Sequence, residues 1–531
     1  MSQARLGALE LVRRVLDRGS WISWDGELPP PTSVTETYAA ELAEARTRTG
    51  LDEAVATGEG RLAGRRVAVV ACEFAFLAGS IGVAAAERLV LAIERATALR
   101  LPVLAAPTSG GTRMQEGTVA FMQMVKISAA VAEHRAAGLP YVVYLRHPTT
   151  GGVLASWGSL GHVTAAEPGA LIGLLGPRVY QALYGEPFPP GVQVAENLFE
   201  HGLVDAVVSP EDLRRIAADA LDVLCATAPP PGAAGRAGDG PDARPAPEPH
   251  RDSPGDVPAW ESITRSRRVE RPSVRGLLKV AARPVVPLNG TGEGETDPGL
   301  LLALARFGRA PCVVLGQDRR RSAERPMGPA GLRSARRGMR LAAELGLPLV
   351  SVIDTAGAAL SRAAEEGGLA GEIARCLADL ATLRAPTLCL LLGQGTGGGA
   401  LALLPADRVV AAQHAWLSPL PPEGASAILY RTTDRAPEVA AAQRVRSADL
   451  LADGIVDRVV PEHPDAADEP APFLRRVGAV LEQELTCLLG QDPDQRYAAR
   501  LARYRTLGLP GGPEQPMREP DGGRHTEPPS R

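Results

Sequence analysis

The hydrophobic residues of this chain follow two alternating patterns. Short runs rich in β-branched residues, such as residues 66–70 and 312–315, are typical of buried strands. Longer stretches, such as residues 83–94 and 114–133, place apolar side chains three or four positions apart among polar ones, which predicts half-buried helices. We expect the core to contain the apolar side of the second helix, Phe121, Met124, Val125 and Ile127. The alternation of strands and helices, with glycines between them, predicts an α/β fold.

The alternating pattern occurs twice along the chain. The sequence LPVLAAPTSGG at residues 101–111 returns as LPLVSVIDTAG at residues 347–357, 246 positions later. Two further blocks return in the same order, residues 139–154 as 385–401 and residues 202–205 as 454–457. In the block at residues 139–154, Pro140 matches Pro386 at an offset of 246, and the glycine pair at residues 151–152 is matched with residues 398–399 at an offset of 247. A repeat of this length predicts a duplicated domain rather than a solenoid of short units.

Proline clusters separate the two copies of the repeat. Nine prolines lie between residues 228 and 258 with few large apolar residues, and such a segment cannot bury enough surface to fold. Residues 509–531 have a similar composition. We therefore predict two domains, residues 1–227 and 259–508, which are joined by a disordered linker over 228–258 and followed by a disordered tail.

Charge and cysteine use exclude several classes of function. The 531 residues carry 57 Lys plus Arg against 61 Asp plus Glu, so neither nucleic acid nor an acidic membrane surface is expected as the main partner. Six cysteines and eight histidines show no metal-ligand spacing, which predicts that no metal is bound. The N-terminus lacks a signal-peptide pattern, and glycines interrupt the uncharged stretch at residues 385–406. We therefore expect a cytoplasmic protein without a membrane span.

Four glycine turns at predicted strand-to-helix junctions are the main candidates for chemistry. They are residues 79–82, 109–111, 150–152 and 393–399. Glycine lets the backbone approach a ligand closely, and the first turn of a helix leaves N–H groups without partners. Such turns could bind an oxyanion or a phosphate, although each one taken alone is also an ordinary tight turn.

Other catalytic arrangements fit the sequence less well. Residues 393–398 match the dinucleotide fingerprint G-x-G-x-x-G, but the acidic residue expected about 20 positions later is missing. His162 lies near two serines but no G-x-S-x-G elbow occurs, which favours a packed or surface residue over a triad. Asp354 and Glu372 could act as acid or base, but carboxylates at strand ends more often cap helices. The sequence therefore offers oxyanion donors without an evident nucleophile or base.

The motifs around these turns resemble the carboxyltransferase component of acetyl-CoA carboxylase. The first half of the chain resembles its bacterial β subunit, and the second half resembles its α subunit. The matching stretches of the first half are residues 70–74, 79–80, 109–116, 148–152, 166–168 and 176–179. Those of the second half are residues 353–355, 357–358, 365–366, 393–400 and 422–429.

This resemblance implies a tandem of crotonase-like domains, each a spiral of ββα units. It implies transfer of CO2 from carboxybiotin to acetyl-CoA, which gives malonyl-CoA. The biotin would be held on a separate biotin carboxyl carrier protein and loaded by a separate biotin carboxylase. The ureido oxyanion left after release of CO2 can take the proton from the thioester methyl group. Both charges then lie on oxygen, so two oxyanion holes suffice.

The resemblance also implies which residues form the two holes. Gly110 and Gly111 would bind the thioester enolate, whereas Gly398 and Gly399 would bind the biotin carbonyl. Further substrate-binding positions are Gly79, Ser80, Gly151, Gly152, Gly395 and Gly397. Each half would supply one hole, and a complete site would form where the first half of one chain faces the second half of another. We therefore expect at least a homodimer.

Three departures from the family pattern bear on function. The zinc ribbon of the β subunit is missing, because residues 1–60 contain no cysteine. Ala356 stands where the family usually has proline, and Gln394 and Thr396 replace the usual Glu and Gly. The alternatives that stay open are another acyl-CoA such as propionyl-CoA, a biotin-dependent decarboxylase, and a non-catalytic assembly subunit that keeps the fold.

Overall fold

The computed structural model of the chain contains two sheets of the same topology. It describes residues 6–26, 35–174, 180–181, 184–225, 257–322 and 326–507. Nearly all of the predicted linker and the whole predicted tail lie outside these residues, so both stay predictions, as do the domain bounds drawn from them.

The first half folds around a seven-stranded sheet. Its strands are β1 (Ile22–Ser23), β2 (Val55–Leu62), β3 (Arg65–Cys72), β4 (Val103–Ala106), β5 (Tyr141–Leu145), β6 (Thr149–Thr150), β7 (Val163–Ala166), β8 (Ile172–Gly173) and β9 (Ala206–Val207). The order in the sheet is β1-β2-β3-β4-β5-β7-β9, and β6 pairs separately with β8. The first three strands are antiparallel, whereas all later neighbours are parallel.

Helices of the first half connect these strands. They are α1 (Ala8–Val15), α2 (Glu36–Thr49), α3 (Val83–Ala98), α4 (Gly117–Ala136), α5 (Gly151–Leu154), α6 (Ala195–Glu200) and α7 (Pro210–Leu224). Local sequence explains several of their ends. The side chain of Ser209 accepts the N–H of Asp212 where α7 begins, and Gly50 ends α2 in the left-handed conformation.

The second half repeats this plan. Its strands are β10 (Ala282–Leu288), β11 (Leu300–Phe307), β12 (Ala310–Gln317), β13 (Leu349–Thr355), β14 (Thr387–Thr396), β15 (Arg408–Ala412), β16 (Trp416–Ser418) and β17 (Arg458–Val460). The order is β10-β11-β12-β13-β14-β15-β17, with β16 beside β14. All residues of β12 and β13 are buried, as the continuous apolar runs of the sequence predict for strands covered on both faces.

Helices of the second half cover both faces of its sheet. They are α8 (Ala259–Ser266), α9 (Val274–Ala281), α10 (Arg319–Ser322), α11 (Pro329–Leu345), α12 (Arg362–Glu366), α13 (Leu369–Thr382), α14 (Gly397–Leu401), α15 (Pro422–Tyr430), α16 (Ala436–Ala442), α17 (Ser447–Ala452), α18 (Pro470–Leu489) and α19 (Pro493–Thr506). No helix in the described part of the chain is both long enough and apolar enough to cross a membrane.

The two halves match at one constant offset around their glycine turns. Thr150 precedes α5 and Thr396 precedes α14, and the first residue of each helix, Gly151 or Gly397, has a φ of 64°. Residues 151–152 therefore correspond to residues 397–398, at the same offset of 246 as the rest of the block. The offset of 247 expected for the glycine pairs is wrong by one residue, because three consecutive glycines in the second half allow either alignment.

One hydrophobic core extends through both halves of the chain. Helix α7 of the first half packs against β10 and β11 of the second half. A buried ion pair crosses the same junction, because Arg337 donates to both carboxylate oxygens of Asp205, at 2.8 and 2.9 Å. Asp205 also accepts the backbone N–H of Asn289 at 3.0 Å. The halves are therefore joined by apolar packing and by an aspartate whose two carboxylate oxygens both accept hydrogen bonds.

A second ionic cluster joins the halves at another point. Glu344 of α11 accepts from Arg135 at 2.7 Å and lies 3.0 Å from Nε2 of His162. Arg135 and His162 come shortly before β5 and β7, and Glu344 comes shortly before β13. The cluster therefore lies at the amino-terminal edges of the parallel strands.

Candidate functional site

The predicted glycine turns lie at the carboxyl ends of parallel strands. Residues 109–111 follow β4, residues 151–152 begin α5 after β6, and residues 397–399 begin α14 after β14. Such ends meet at one edge of a sheet, which is the usual place for a site in an α/β fold. In the first half the turns touch, since a β-carbon on Gly111 would lie 3.6 Å from the Cα of Gly151.

The N–H groups of Gly110 and Gly111, which were expected to bind the thioester enolate, have hydrogen-bond acceptors within the chain. The Gly110 N–H donates to the carbonyl oxygen of Ala78 at 2.9 Å, and the Gly111 N–H donates to Oγ of Ser109 at 2.9 Å. Both N–H groups already have partners, so neither is available to an oxyanion in this structure. Gly111 has a φ of 114°, which explains a glycine at this position without any ligand.

Two neighbouring amides of the first half have no partner among the described residues. The N–H of Gly151 donates to the carbonyl oxygen of Leu174 at 2.9 Å. The next two N–H groups, those of Gly152 and Val153, make no hydrogen bond within the described residues, because they lie in the first turn of α5. Sequence reasoning missed Val153, and only its place in that first turn could have indicated it.

The second half has the same arrangement. Gly397 begins α14, and the N–H groups of Gly398 and Gly399 have no protein partner in the part of the chain that the structure describes. A β-carbon on Gly398 would lie 2.8 Å from Cδ1 of Ile373, and one on Gly399 would lie 3.1 Å from the backbone nitrogen of Ala358. The repeat therefore places two amides that have no partner in the described ranges at equivalent positions of both halves.

Helices cover the two amide pairs in corresponding ways. A β-carbon on Gly152 would lie 3.2 Å from Cγ of Met124, in α4, and 3.2 Å from Oγ1 of Thr112. In the second half, Ile373 of α13 occupies the corresponding place beside Gly398. Neither glycine can gain a side chain without movement of these neighbours.

The other predicted binding residues make contacts that serve the fold. Gly79 has a φ of 62°, and a β-carbon there would collide with the carbonyl oxygen of Thr108. The Ser80 hydroxyl donates to a neighbouring carbonyl at 2.7 Å. A β-carbon on Gly395 would lie 2.9 Å from the carbonyl oxygen of Trp416. Substrate binding by these residues stays a prediction.

A buried polar cluster lies behind the glycine turn of the second half. Asp354 accepts the N–H of Gln394 through Oδ1 at 3.1 Å, and its Oδ2 lies 3.6 Å from the guanidinium of Arg319. Burial raises the pKa of Asp354 above its usual value, although Arg319 opposes the shift. Gln317 joins this cluster to the turn, since it donates to the Gly399 carbonyl at 2.7 Å and accepts the Asp354 N–H at 3.2 Å.

Other candidate acids and bases are engaged in structural contacts. Glu372 pairs with Arg375 at 2.7 Å and Arg333 at 3.0 Å, and the hydrogen bond from Arg375 contributes most to the lowering of its pKa. His162 is buried and accepts the backbone N–H of Tyr141 at 3.0 Å, so it is a packed residue. Across the described ranges no group of three or more His, Cys, Asp or Glu could hold a metal ion. The expectation of a metal-free protein stays a prediction.

Arg267 contacts both Gln394, which replaces the usual Glu of the family, and the carboxylate of Glu423. Arg267 donates to Oε1 of Gln394 at 3.3 Å and to Oε1 of Glu423 at 2.5 Å. The hydrogen bond from Arg267 lowers the pKa of Glu423. Glu423 is therefore held as an anion paired with Arg267, which leaves it poorly suited to take a proton.

Two groups of exposed apolar side chains lie on segments that begin or follow the glycine turns, and we call them the α4 surface and the α15 surface. The α4 surface consists of side chains that are 53–85% exposed, Met114, Val119, Phe121, Met122 and Val125. The α15 surface consists of side chains that are 45–94% exposed, Leu360, Leu401, Leu420, Ile428 and Leu429. The prediction that Phe121 and Val125 pack in the core is wrong, whereas Met124 and Ile127 are buried as expected. Apolar patches of this kind mark interaction sites.

Family models match each half of the chain. The model described as "Carboxyl transferase domain" matches residues 4–226, and the model described as "Acetyl co-enzyme A carboxylase carboxyltransferase-like" matches residues 248–508. The solved structure of transcarboxylase 12S is similar to this chain with a TM-score of 0.67 and 20% identity, over 90% of this chain and 89% of that one. The predicted α/β class with tandem crotonase-like domains is confirmed.

Relatives of nearly full length narrow the family further. The chain is 61% identical over 508 residues to the probable biotin-dependent acyl-coenzyme A carboxylase beta3 subunit of Mycobacterium tuberculosis, covering 96% of this chain and 99% of the relative. It is 37% identical over 519 residues to the acetyl-coenzyme A carboxylase carboxyl transferase subunits beta/alpha of Salinispora arenicola, covering 96% and 91%. The chain therefore belongs to the carboxyltransferase family of biotin-dependent acyl-CoA carboxylases.

Proposed function

We propose that this chain is the carboxyltransferase component of an acetyl-CoA carboxylase, which makes malonyl-CoA with carboxybiotin as the source of CO2. The observation that supports this most is the pair of unpartnered amides in each half, Gly152 with Val153 and Gly398 with Gly399. Carboxyl transfer to a thioester places negative charge on two oxygens. Two pairs of backbone donors can stabilise those charges without a nucleophilic side chain.

The first half would hold the acyl-CoA. The amides of Gly152 and Val153 would donate to the thioester oxygen as the enolate forms, in place of Gly110 and Gly111, whose N–H groups have partners. Met124 and Thr112 would border the acyl group, because a β-carbon on Gly152 would lie 3.2 Å from a side-chain atom of each. A short acyl chain such as acetyl suits a site whose wall lies this near to the donors.

The second half would hold biotin. Residues 397–399 carry no side chains, so a planar ring can approach the backbone, and the two free N–H groups supply what a carbonyl oxygen needs. Carboxybiotin supplies the CO2 and an oxygen that gains negative charge when CO2 departs. The amides of Gly398 and Gly399 would bind that oxygen and orient it, and the buried Asp354 cluster would hold the turn behind them.

Biotin would reach this site on a separate carrier protein. One relative is named as a subunit of a biotin-dependent carboxylase and the other as subunits of an acetyl-coenzyme A carboxylase, which supports an enzyme of several subunits. We propose a biotin carboxyl carrier protein and a biotin carboxylase as partners of this chain. Acetyl-CoA and malonyl-CoA would be its small-molecule substrate and product.

A complete site would need two copies of the chain. The Glu344 cluster joins the two halves at the amino-terminal edges of their strands, whereas the glycine turns lie at the carboxyl ends. An exposed apolar surface lies on segments that begin or follow the turns of each half. Burial of the α4 surface of one copy against the α15 surface of another would bring the two amide pairs together, and two-fold symmetry would make two such sites.

An assay of carboxyl transfer with several acyl-CoA substrates tests this proposal. The purified chain is mixed with biotin carboxylase, biotinylated carrier protein, ATP and bicarbonate, and acetyl-, propionyl- and longer acyl-CoA are compared. We expect acetyl-CoA to have the highest kcat/KM. A higher kcat/KM with another acyl-CoA would overturn the substrate but not the reaction. Transfer detectable only from malonyl-CoA would indicate a decarboxylase, and no transfer by folded protein would indicate an assembly subunit.

A further inference from the structure

The side chain of Gln317 connects two elements of the second-half site. Gln317 ends β12 and is 1% exposed. Its Nε2 donates to the carbonyl oxygen of Gly399 at 2.7 Å, and its Oε1 accepts the N–H of Asp354 in β13 at 3.2 Å. One buried amide thus satisfies two backbone groups and fixes the first turn of α14 against the sheet.

The helix that Gln317 contacts is short and rich in glycine. α14 spans five residues and begins with three glycines, which have more conformational freedom than any other residue. Its N-cap residue, Thr396, makes no side-chain capping hydrogen bond. A helix of this length is not stable by itself. The direction of its free amides therefore depends on contacts from the surrounding structure.

The described residues of the first half show no such connection. Cys72, which is buried, ends β3 as Gln317 ends β12. The carbonyl oxygens of Gly152 and Val153 instead accept from the hydroxyl of Ser156, at 2.6 and 3.4 Å, within the same stretch of chain. The connection from the sheet to the turn is therefore a feature of the half that we assign to biotin.

We infer that Gln317 is a positioning residue for the biotin half of the reaction, an inference that rests on the proposed function. Gln317 holds the carbonyl of Gly399, so that the N–H groups of Gly398 and Gly399 keep a common direction toward one oxygen. It acts through Gly399 and does not contact a substrate. Its loss should therefore affect the use of biotin and leave the binding of the acyl-CoA unchanged.

Two replacements of Gln317 test this role. Gln317→Leu removes both hydrogen bonds with little change in volume, and Gln317→Met is a more flexible second replacement. The reaction is the carboxylation of free biotin from malonyl-CoA, with each substrate varied in turn. We expect kcat/KM for biotin to fall about tenfold, the scale of one lost hydrogen bond, and KM for malonyl-CoA to stay at the wild-type value.

Gln413→Leu is the matched control. The side chain of Gln413 also accepts a backbone N–H, that of Glu462 at 2.9 Å, in the same half but outside residues 393–399. A purely structural defect would lower Tm and reduce turnover alike in the Gln413 and Gln317 variants. Unchanged use of biotin by both Gln317 variants, or losses equal to those of the control, would overturn the inference.

Hydrogen exchange separates this inference from the proposed function. The N–H of Ala402 donates to the carbonyl oxygen of Gly398 at 2.9 Å. We expect faster exchange across residues 397–403 in Gln317→Leu than in Gln413→Leu. A wild-type protein that transfers no carboxyl group to biotin would overturn the proposed function. Unchanged exchange in this segment would overturn the part of Gln317 in holding the turn.

Discussion

The two glycine-turn regions join the same strand ends by hydrogen bonds of opposite direction. In the first half, Oγ1 of Thr108 donates to the carbonyl oxygens of His147 and Pro148, at 3.1 and 3.2 Å. In the second half, Asp354 at the matching position accepts the N–H of Gln394 at 3.1 Å. Proline has no N–H, so the side chain beside Pro148 has to donate, whereas the one beside Gln394 can accept. The two halves therefore join the same strand ends, but the side chain donates the hydrogen bond in the first half and accepts it in the second.

This difference places a titratable carboxyl group at a position where the first half has a neutral hydroxyl. Thr108 is uncharged at every pH, whereas Asp354 is a carboxyl group with 1% exposure and a raised pKa. Arg319 lies near Asp354 and offsets part of the cost of burying it. At this position the proposed biotin turn is therefore held by a carboxyl group near Arg319, whereas the proposed acyl-CoA turn is held by the Thr108 hydroxyl.

A second pair of matching residues differs in where its partner comes from. Asp205 and Asp457 occupy the same place in the repeat, and each accepts the N–H of a neighbouring strand. Asp205 is paired with Arg337 of the other half, whereas Asp457 is paired with Arg503 of its own half at 2.7 Å. The aspartate at this position of the repeat therefore makes a contact within its own domain in the second half, and a contact between the domains in the first half.

Valine at the equivalent glycines should give the largest effects and separate the two halves. Gly152→Val and Gly398→Val each place a branched side chain beside the free amides, so we expect a fall of about 10²–10³ in kcat/KM. Gly152→Val should impair the use of the acyl-CoA, and Gly398→Val the use of biotin. Steady-state kinetics of the malonyl-CoA-dependent reaction, with each substrate varied, will distinguish them.

Two further variants serve as controls for these valines. Gly26→Val should be silent, because no atom of the described residues lies within 4 Å of a β-carbon there. Gly110→Ala should retain activity, since its β-carbon would meet only ordinary contacts at 3.6 and 3.7 Å. A large loss of activity in folded Gly110→Ala, with near-normal Gly152→Val, would restore the sequence-based assignment of Gly110 and Gly111.

Loss of the arginine that joins the halves should be the next largest effect. Arg337→Ala leaves the Asp205 carboxylate buried, with a side chain that is 1% exposed, so the free energy of unfolding should fall by about 3 kcal/mol. Arg340→Ala is the control, because its pair with Glu293 is exposed and worth about 0–1 kcal/mol. Denaturant unfolding measures both, and equal effects would show that the junction does not depend on this ion pair.

The pH dependence of stability should expose the buried carboxyl of the second half. A carboxyl whose pKa is higher in the folded than in the unfolded state loses stability as pH rises through the folded value. Burial raises the pKa of Asp354 from 3.8, so Asp354→Asn should gain stability relative to wild type as pH increases. Thermal melts from acidic to mildly alkaline pH measure this difference. Thr108→Val should change stability by the same amount at every pH, and a constant difference for Asp354→Asn would contradict the prediction.

The smallest predicted effects concern two matching hydroxyls. Oγ of Ser109 accepts the N–H of Gly111 at 2.9 Å, and Oγ1 of Thr355 accepts the N–H of Gly357 at 3.1 Å. Ser109→Ala and Thr355→Val should each cost about 1 kcal/mol of stability, as expected for one hydrogen bond. Calorimetry measures both. If Ser109→Ala instead raised activity with acyl-CoA, the freed amide of Gly111 would be a donor after all.

Much of the fold could be predicted from the sequence because local and global signals agree. The apolar run that becomes β12, the strand, glycine and helix order of residues 385–401, and the matched blocks of the two halves all follow from patterns along the chain. Burial from both sides requires such continuous apolar strands. The position of the glycine turns at strand ends was therefore predictable, and the structure confirms it.

The free amides could not be predicted in the same way. A sequence shows where glycines lie, but whether an N–H is free depends on which acceptor comes near it in space. The carbonyl of Ala78 reaches Gly110, and no acceptor in the described residues reaches Val153. The exposed side of α4 was missed for a related reason, because Phe121 and Val125 have the same spacing whether they meet the core or solvent.

Because a hydrophobic cluster spans the junction, the two halves should stay associated even without a continuous polypeptide between them. Side chains of both halves belong to that cluster, and the Arg337–Asp205 and Arg135–Glu344 pairs cross the boundary without any peptide bond. A break between α7 and α8 would leave these contacts in place, and the pieces would persist as two associated subunits. Covalent connection then adds only a high effective concentration of one half near the other. A gene encoding this architecture can divide into two genes, or two genes can merge into one, while the folded product keeps the same interior.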